Sequence, residues 1–207
     1  VSTSPLIFDP YVVNNVQGSR FLDVGCGYGK WGYLLKKHAN LPGKLPYVVG
    51  IDIFEPHVCS LSKEGIYDEV ITGNATSLPF ADKSFDSVIA CEIIEHLSRE
   101  DGYLLIRELK RVAKYCVVVS TPSFQCIRGG NNTLDGFNPY EAHRYIYSYQ
   151  GFRSLGFTQI IGVGRLKFRP WKLSVALSSL GLYMPWLSRY LLGFWFADGK
   201  KRVLAVE

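Results

Sequence analysis

The chain has 207 residues, of which 47% are hydrophobic, 14% aromatic and 20% charged, with a mean hydropathy of +0.06. At about 100–200 residues per domain this is one domain with room for an insertion, and the composition excludes a disordered, collagen-like or coiled-coil chain. The formal net charge of +5 is unevenly placed: residues 1–164 carry 15 Lys/Arg against 16 Asp/Glu, a net of −1, and residues 165–207 carry 8 against 2, a net of +6. The basic character therefore belongs to a C-terminal stretch that is also rich in aromatic and aliphatic residues, a pattern suited to a membrane surface, an acidic partner or a nucleic acid. Five cysteines (Cys26, Cys59, Cys91, Cys116 and Cys126) are odd in number and include no C-x-x-C pair. Neither a disulfide framework nor a zinc site is indicated, so a reducing, cytoplasmic setting without a metal is expected. Residues 1–20 lack the basic-then-apolar layout of a secretory signal.

In chain order, short apolar runs rich in Val and Ile at 20–24, 47–51, 69–72, 87–91, 116–120 and 157–163 read as strands buried on both faces. Helical stretches at 32–38, 56–65, 95–114 and 147–155 alternate with them. This alternation predicts an α/β, Rossmann-like doubly wound sheet with helices on both faces. A seventh strand is expected at 202–207, after the turn signal Asp198-Gly199-Lys200, antiparallel beside the sixth. Residues 1–207 thus read as a single domain. Residues 165–201 separate strands six and seven by more chain than a tight connection needs. Its apolar part, 173–197, is interrupted by Gly181, Pro185 and Arg189, so it reads as two short helices and not as one membrane span. Trp171, Trp186, Trp195, Tyr183 and Tyr190 stand with Arg169, Lys172 and Arg189 in a helical insertion over 169–200. Three readings of it stand: a membrane-surface segment over 169–197, a substrate lid, or packing against the core or a second copy of the chain in a homodimer.

The sharpest motif is Phe21-Leu-Asp-Val-Gly-Cys-Gly-Tyr-Gly-Lys30, in which a strand runs into Gly25, Gly27 and Gly29 and then into a helix. Glycines serve where the backbone turns sharply and a ligand must come close, and the helix start beyond offers free N–H groups, so a cofactor loop is the first reading. Two fingerprints overlap: Asp23-x-Gly25-x-Gly27-x-Gly29, and Gly27-x-Gly29-x-x-Gly32, which satisfies the dinucleotide pattern. Register separates them, because Gly25 closes the strand and an acid precedes it by two residues.

With Gly50-Ile51-Asp52 ending the second strand, Gly73-Asn74-Ala75 following the third, and 84–97 (SFDSVIACEIIEHL) running through the fourth, the chain resembles the class I S-adenosylmethionine-dependent methyltransferases of the small-molecule type over residues 20–120. The resemblance implies S-adenosylmethionine as cofactor. It implies that the backbone of Gly25, Cys26, Gly27 and Gly29, with Asp23 nearby, holds the methionine end, with Tyr28 beside it. Asp52 would bind the ribose, Ile53 would pack on the adenine, Ala75 would offer it a backbone N–H, and Cys91 would offer its carbonyl to the cofactor's amino group. At the place of Asn74 the family usually carries an Asp that accepts from the adenine amino group; an Asn oxygen still accepts, without charge. Read from residue chemistry alone, Asp23 serves equally as a loop anchor, Asp52 as the cap of the next helix, and Cys26 and Cys91 as small apolar fillers.

Glu92, Glu95 and His96 fall at the C-terminal edge of the sheet, where open α/β folds place ligands, although acids there also favour a helix start. The long loop after strand five carries Asn138, Tyr140, His143 and Tyr145. His143 is the best general-base candidate and equally a residue that ties the loop together; Glu92 and His96 are the further catalytic candidates. Methyl transfer from a sulfonium depends mainly on alignment, so no triad or metal is required. The motifs for base-amino and cytosine-C5 methylation are missing, which makes nucleic acid an unexpected acceptor and a small-molecule or lipid-like acceptor the expected one. The competing classes are a methyltransferase-fold scaffold without activity, for which Asn74 is the support, and an NAD-dependent oxidoreductase using Gly27-x-Gly29-x-x-Gly32. The expected location is cytoplasmic, with peripheral membrane contact through 169–197.

Overall fold

The computed structural model describes residues 5–38, 45–123, 129–166 and 177–200. Its frame is a seven-stranded sheet of order β3-β2-β1-β4-β5-β9-β8. These strands are β1 (Arg20–Val24), β2 (Tyr47–Asp52), β3 (Glu69–Thr72), β4 (Phe85–Cys91), β5 (Ala113–Pro122), β8 (Gln159–Leu166) and β9 (Ser188–Phe196). A small separate hairpin is formed by β6 (Asn131–Thr133) and β7 (Gly136–Asn138). β1, β2, β3, β4 and β5 pair in parallel, whereas β9 runs antiparallel to both β5 and β8. The described helices are α1 (Asp9–Asn15), α2 (Lys30–His38), α3 (Glu55–Glu64), α4 (Arg99–Val112) and α5 (Tyr149–Ser154), with several short 3-10 turns.

Side chains alternate across a strand, so each strand feeds two cores. Leu22, Val24, Val117 and Val119 face one layer, where Leu105, Ile106 and Leu109 of α4 and Phe152 of α5 cover them. Phe21, Cys116 and Val118 face the other, against Val12 of α1, Trp31 and Leu35 of α2 and Leu61 of α3. Nearly unbroken apolar runs follow from this double covering.

α4 starts at Arg99 and not at residue 95, because Ser98 is its N-cap: the Ser98 hydroxyl oxygen accepts from the Asp101 N–H at 3.0 Å. Residues Ile94–His96 form a separate 3-10 turn, which frees the stretch after β4 to bend into the site. Ser148 caps α5 in the same way, accepting from Gly151 N–H at 3.1 Å.

The seventh strand differs from the expectation. Residues 202–207 lie outside the described residues, and the antiparallel strand is Ser188–Phe196, inside the stretch read as helical insertion. Two short 3-10 turns, Ser178–Leu182 and Pro185–Leu187, precede it. The nine residues from Ser188 are buried on both faces and carry Tyr190, Phe194, Trp195 and Phe196, which favour a pleated surface. Gly193 is where the rings of Phe152 and Phe157 press on the strand; a Cβ there would lie 2.9 Å from both. The loop after β5 is likewise not featureless, since it holds the β6–β7 hairpin. Among the described residues no helix is long and apolar enough to cross a membrane.

Candidate active site

The strand order reverses direction between β1 and β4: β1 leads outward to β2 and β3, and the chain then returns to place β4 on β1's other side. Connections leaving these two strands diverge, and a crevice opens at their C-terminal ends. A cavity of about 330 Å³ occupies it, walled by the loops after β1, β2, β3 and β4 and by the stretch after β7.

The first wall is the glycine loop. Gly25 N–H and Cys26 N–H both donate to Ile51 O, at 2.8 and 3.2 Å, which turns the chain sharply off β1. Gly25 has φ +73°, and a Cβ on it would strike Ile93 Cγ2 at 2.2 Å. Gly27 has φ +50°, and a Cβ there would meet nothing nearer than Gly25 O at 4.0 Å. The backbone at Gly27 is thus open to a ligand rather than crowded. Gly29 does not face the cavity; a Cβ there would clash with Leu61 of α3 at 2.7 Å, so its role is packing.

Asp52, the last residue of β2, anchors that loop. Its Oδ2 accepts from Gly27 N–H at 2.8 Å and its Oδ1 from Phe54 N–H at 2.9 Å. Two backbone donors on one carboxylate hold both the glycine loop and the start of α3 in place. Ile53 is 41% exposed at the cavity, which leaves its face available to a planar group. Asn74 and Ala75 line the same side, but Asn74 Oδ1 accepts from both Thr76 N–H and Thr76 Oγ1, each at 2.9 Å. That oxygen is committed to shaping its own loop, a local competition typical of Asn.

Asp23 lies beneath the glycine loop, fully buried and outside the cavity lining. Tyr67 Oη donates to Asp23 Oδ2 at 2.6 Å and accepts from Gly32 N–H at 3.2 Å, so this buried pair ties β1 to α2. Burial pushes the Asp23 carboxyl up to about 7, against the Tyr67 hydrogen bond and with the Asp52 charge adding to the rise. Burial likewise pushes the Cys26 and Cys91 thiols up, so neither is a ready nucleophile.

The opposite wall follows β4. Glu92 takes φ +59°, a left-handed conformation that few non-glycine residues adopt, and its Oε1 accepts from Ser120 Oγ at 2.7 Å. Glu95 is 1% exposed, and Thr121 Oγ1 donates to its Oε2 at 3.2 Å. Arg144 N–H and Tyr145 N–H donate to Glu95 O at 2.7 and 3.1 Å, stitching the long loop after β5 onto this turn. The stitch brings His143 onto His96, with ring centroids 4.9 Å apart. Burial raises both Glu92 and Glu95, and the Glu92 charge raises Glu95 further. Burial lowers His96, which favours a neutral imidazole near neutral pH.

A family profile described as "Methyltransferase domain" matches residues 22–115, from β1 into β5. The solved structure of a SAM-dependent methyltransferase from Archaeoglobus fulgidus shares the fold at TM-score 0.59 over 92% of this chain and 91% of that one, at 18% identity. Residues 22–115 thus match a methyltransferase domain, on a fold shared with that solved structure. The demethylmenaquinone methyltransferase of Bacillus velezensis is 34% identical over 122 residues, covering 54% of this chain and 50% of that protein. A sterol 24-C-methyltransferase of Gibberella zeae is 32% identical over 113 residues, covering 50% of this chain and 28% of that protein. The chain thus spans half or less of the length of these curated relatives.

Of the methyltransferase residues expected from sequence, Gly25, Cys26, Gly27, Tyr28, Asp52, Ile53, Asn74, Ala75, Cys91, Glu92 and His96 face one cavity. His143 stands behind His96, and Asp23 and Gly29 support the loop from outside. Sequence reading missed His57 and Tyr67. His57 lines the cavity, is 3% exposed, lies 3.8 Å from Asp52 Oδ2, and has no hydrogen-bond partner on either ring nitrogen among the described residues. Its signal was positional, one turn into the helix that follows the acid of β2. Tyr67 gave no signal, because only the tertiary fold brings it to Asp23.

Proposed function

We propose that the chain is an S-adenosylmethionine-dependent methyltransferase whose acceptor is a small or lipid-like molecule. The observation that carries the reading is Asp52, whose carboxylate fixes the open backbone of Gly27 at the rim of the cavity. When bound, S-adenosylmethionine supplies a methyl group already activated by its sulfonium. On this reading the backbone of Gly25 and Gly27 receives the methionine end, with Tyr28 beside it, and the Cys91 carbonyl takes its amino group. Asp52 receives the ribose hydroxyls, Ile53 covers the adenine, and the Ala75 N–H donates to it. Asn74 serves by holding its loop in shape, its oxygen being taken by Thr76. Glu92, His96 and His143 form the acceptor side, where a neutral histidine can take a proton from an acceptor that must lose one. The apolar part of the cavity, with Ile93, Leu97 and Tyr140, supports an acceptor of low polarity.

The relatives' names specify a quinone precursor and a sterol, which points the same way. Tyr183, Met184 and Trp186 are exposed on the 3-10 turns before β9, which supports contact between this face and a lipid surface in the cytoplasm. The test is calorimetric titration of S-adenosylmethionine and, separately, NAD. Wild-type protein binds the former, and Asp52→Ala weakens it by at least about 100-fold, as expected for two hydrogen bonds to a charge worth about 1.5–3 kcal/mol each. Preference for NAD, or no binding of S-adenosylmethionine, overturns the reading. Transfer of labelled methyl into a lipid extract, set against a water-soluble fraction, then separates the two acceptor classes.

A further inference from the structure

We infer that Glu95, His96 and His143 form a site for one divalent transition-metal ion on the acceptor side of the cavity. Each offers a ligand atom, and these atoms all lie within 4.8 Å of one another. Ligands about 2.1 Å from a shared tetrahedral ion stand about 3.4 Å apart, so modest side-chain rotation closes the set.

The surroundings hold that set in place. The backbone bonds from Arg144 and Tyr145 to Glu95 O fix the His143 segment over the turn that carries the other two ligands. His96 Nδ1 lies 3.3 Å from Ala142 O, the kind of backbone contact that orients a metal-bound imidazole. Thr121 orients the Glu95 carboxylate from behind.

Two imidazoles and one carboxylate suit Zn²⁺, Co²⁺ or Fe²⁺ rather than Mg²⁺ or Ca²⁺, which prefer oxygen ligands throughout. Three protein ligands leave a position for an oxygen from the cavity, from water or from an acceptor, and His96 lines that cavity. Sequence spacing does not show the set, because His143 follows His96 by 47 positions and reaches it only through the fold. The site rests on the family reading only for its use in methyl transfer; ion binding itself can be measured without it.

The experiment uses untagged protein freed of metal by a chelator and titrated with Co²⁺, following the visible ligand-field bands and the heat. Expected are one ion per chain, displacement by Zn²⁺ but not by millimolar Mg²⁺, and affinity at least about tenfold weaker in His143→Ala and in Glu95→Gln. Circular dichroism and thermal melting establish that each variant is folded, and His143, being only half-buried, is the safer of the two. Absence of stoichiometric binding, or equal binding by wild type and folded His143→Ala, overturns the site. S-Adenosylmethionine titrated into the same metal-free samples keeps the two readings apart. Cofactor binding without Co²⁺ uptake sinks the ion site alone, whereas Co²⁺ uptake without cofactor binding upholds it and sinks the methyltransferase reading.

Discussion

Asp23 offers a way to read the buried floor of the site through stability. Its carboxyl is fully buried, one oxygen accepts from Tyr67, and the other has no hydrogen-bond partner among the described residues. Burial first, and then the charge of Asp52, move it from the ordinary value of 3.8 to about 7. Because the folded value lies above the unfolded one, the folded chain keeps a proton that the unfolded chain releases between those two pH values. The stability this group contributes is therefore full below 3.8, is lost as pH rises, and levels off above about 7. Each pH unit within that window is worth about 1.4 kcal/mol, and the whole interval about 4 kcal/mol. Asp23→Asn keeps an oxygen to accept from Tyr67 and cannot ionise. Its amide nitrogen lacks a partner, which costs about 1–3 kcal/mol at every pH, so the slope and not the offset is the readout. Urea unfolding from pH 5 to pH 7 should show wild-type stability falling more steeply than the variant's by up to about 1.4 kcal/mol per unit, at an unchanged m-value. Glu92 and Glu95 are raised by burial as well and leave both proteins a residual fall of the same sign. Parallel curves for the two proteins would refute the account of Asp23 as a carboxyl held protonated by burial.

Two further outcomes are expected at the glycine loop. Gly27→Ala brings about 1–2 kcal/mol of left-handed strain without a clash, so the melting temperature falls modestly while S-adenosylmethionine affinity falls at least tenfold. Gly25→Ala drives a Cβ into Ile93 and should lose more stability than Gly27→Ala; equal affinity of Gly27→Ala and wild type in calorimetry would contradict an open ligand face at that residue. Tyr28 Oη accepts from Leu134 N–H at 2.9 Å, which joins the glycine loop to the β6–β7 hairpin. Tyr28→Phe should speed amide exchange at Leu134 by about two- to tenfold, as expected for one hydrogen bond of about 0.5–1.5 kcal/mol, with strand amides of β1 and β4 unchanged.

What was legible in the sequence is what the chain encodes locally. Gly25 and Gly27 follow β1 at once, and Asp52 closes β2, so a strand end, a turn and an acid can be read from adjacent letters. The strands β1, β2, β4 and β5 announce themselves because both faces are covered and their apolar runs are nearly continuous, whereas β3, at the sheet edge, keeps Glu69 and Thr72 exposed. The same continuity misleads at Ser188–Phe196, which falls in an apolar aromatic run that Gly181, Pro185 and Arg189 make read as two short helices. Only contact with Phe152 and Phe157, from a distant segment, shows why a strand there needs Gly193. The β6–β7 hairpin escapes for the opposite reason: strands of three residues are too short to display a period.

The site divides along the same line. The half proposed to hold the cofactor hangs on one short loop and the ends of neighbouring strands, so residue order alone nearly assembles it. The half proposed to face the acceptor depends on where a long loop lands. Glu95 must lend its backbone carbonyl to Arg144 and Tyr145 before His143 can stand over His96. Because that carbonyl and the carboxylate of the same residue face different partners, one turn both fixes the loop and presents an acid to two histidines. The β5 loop, where acceptor chemistry would diverge on the proposed function, can therefore vary without disturbing the Asp52–Gly27 anchor across the cavity.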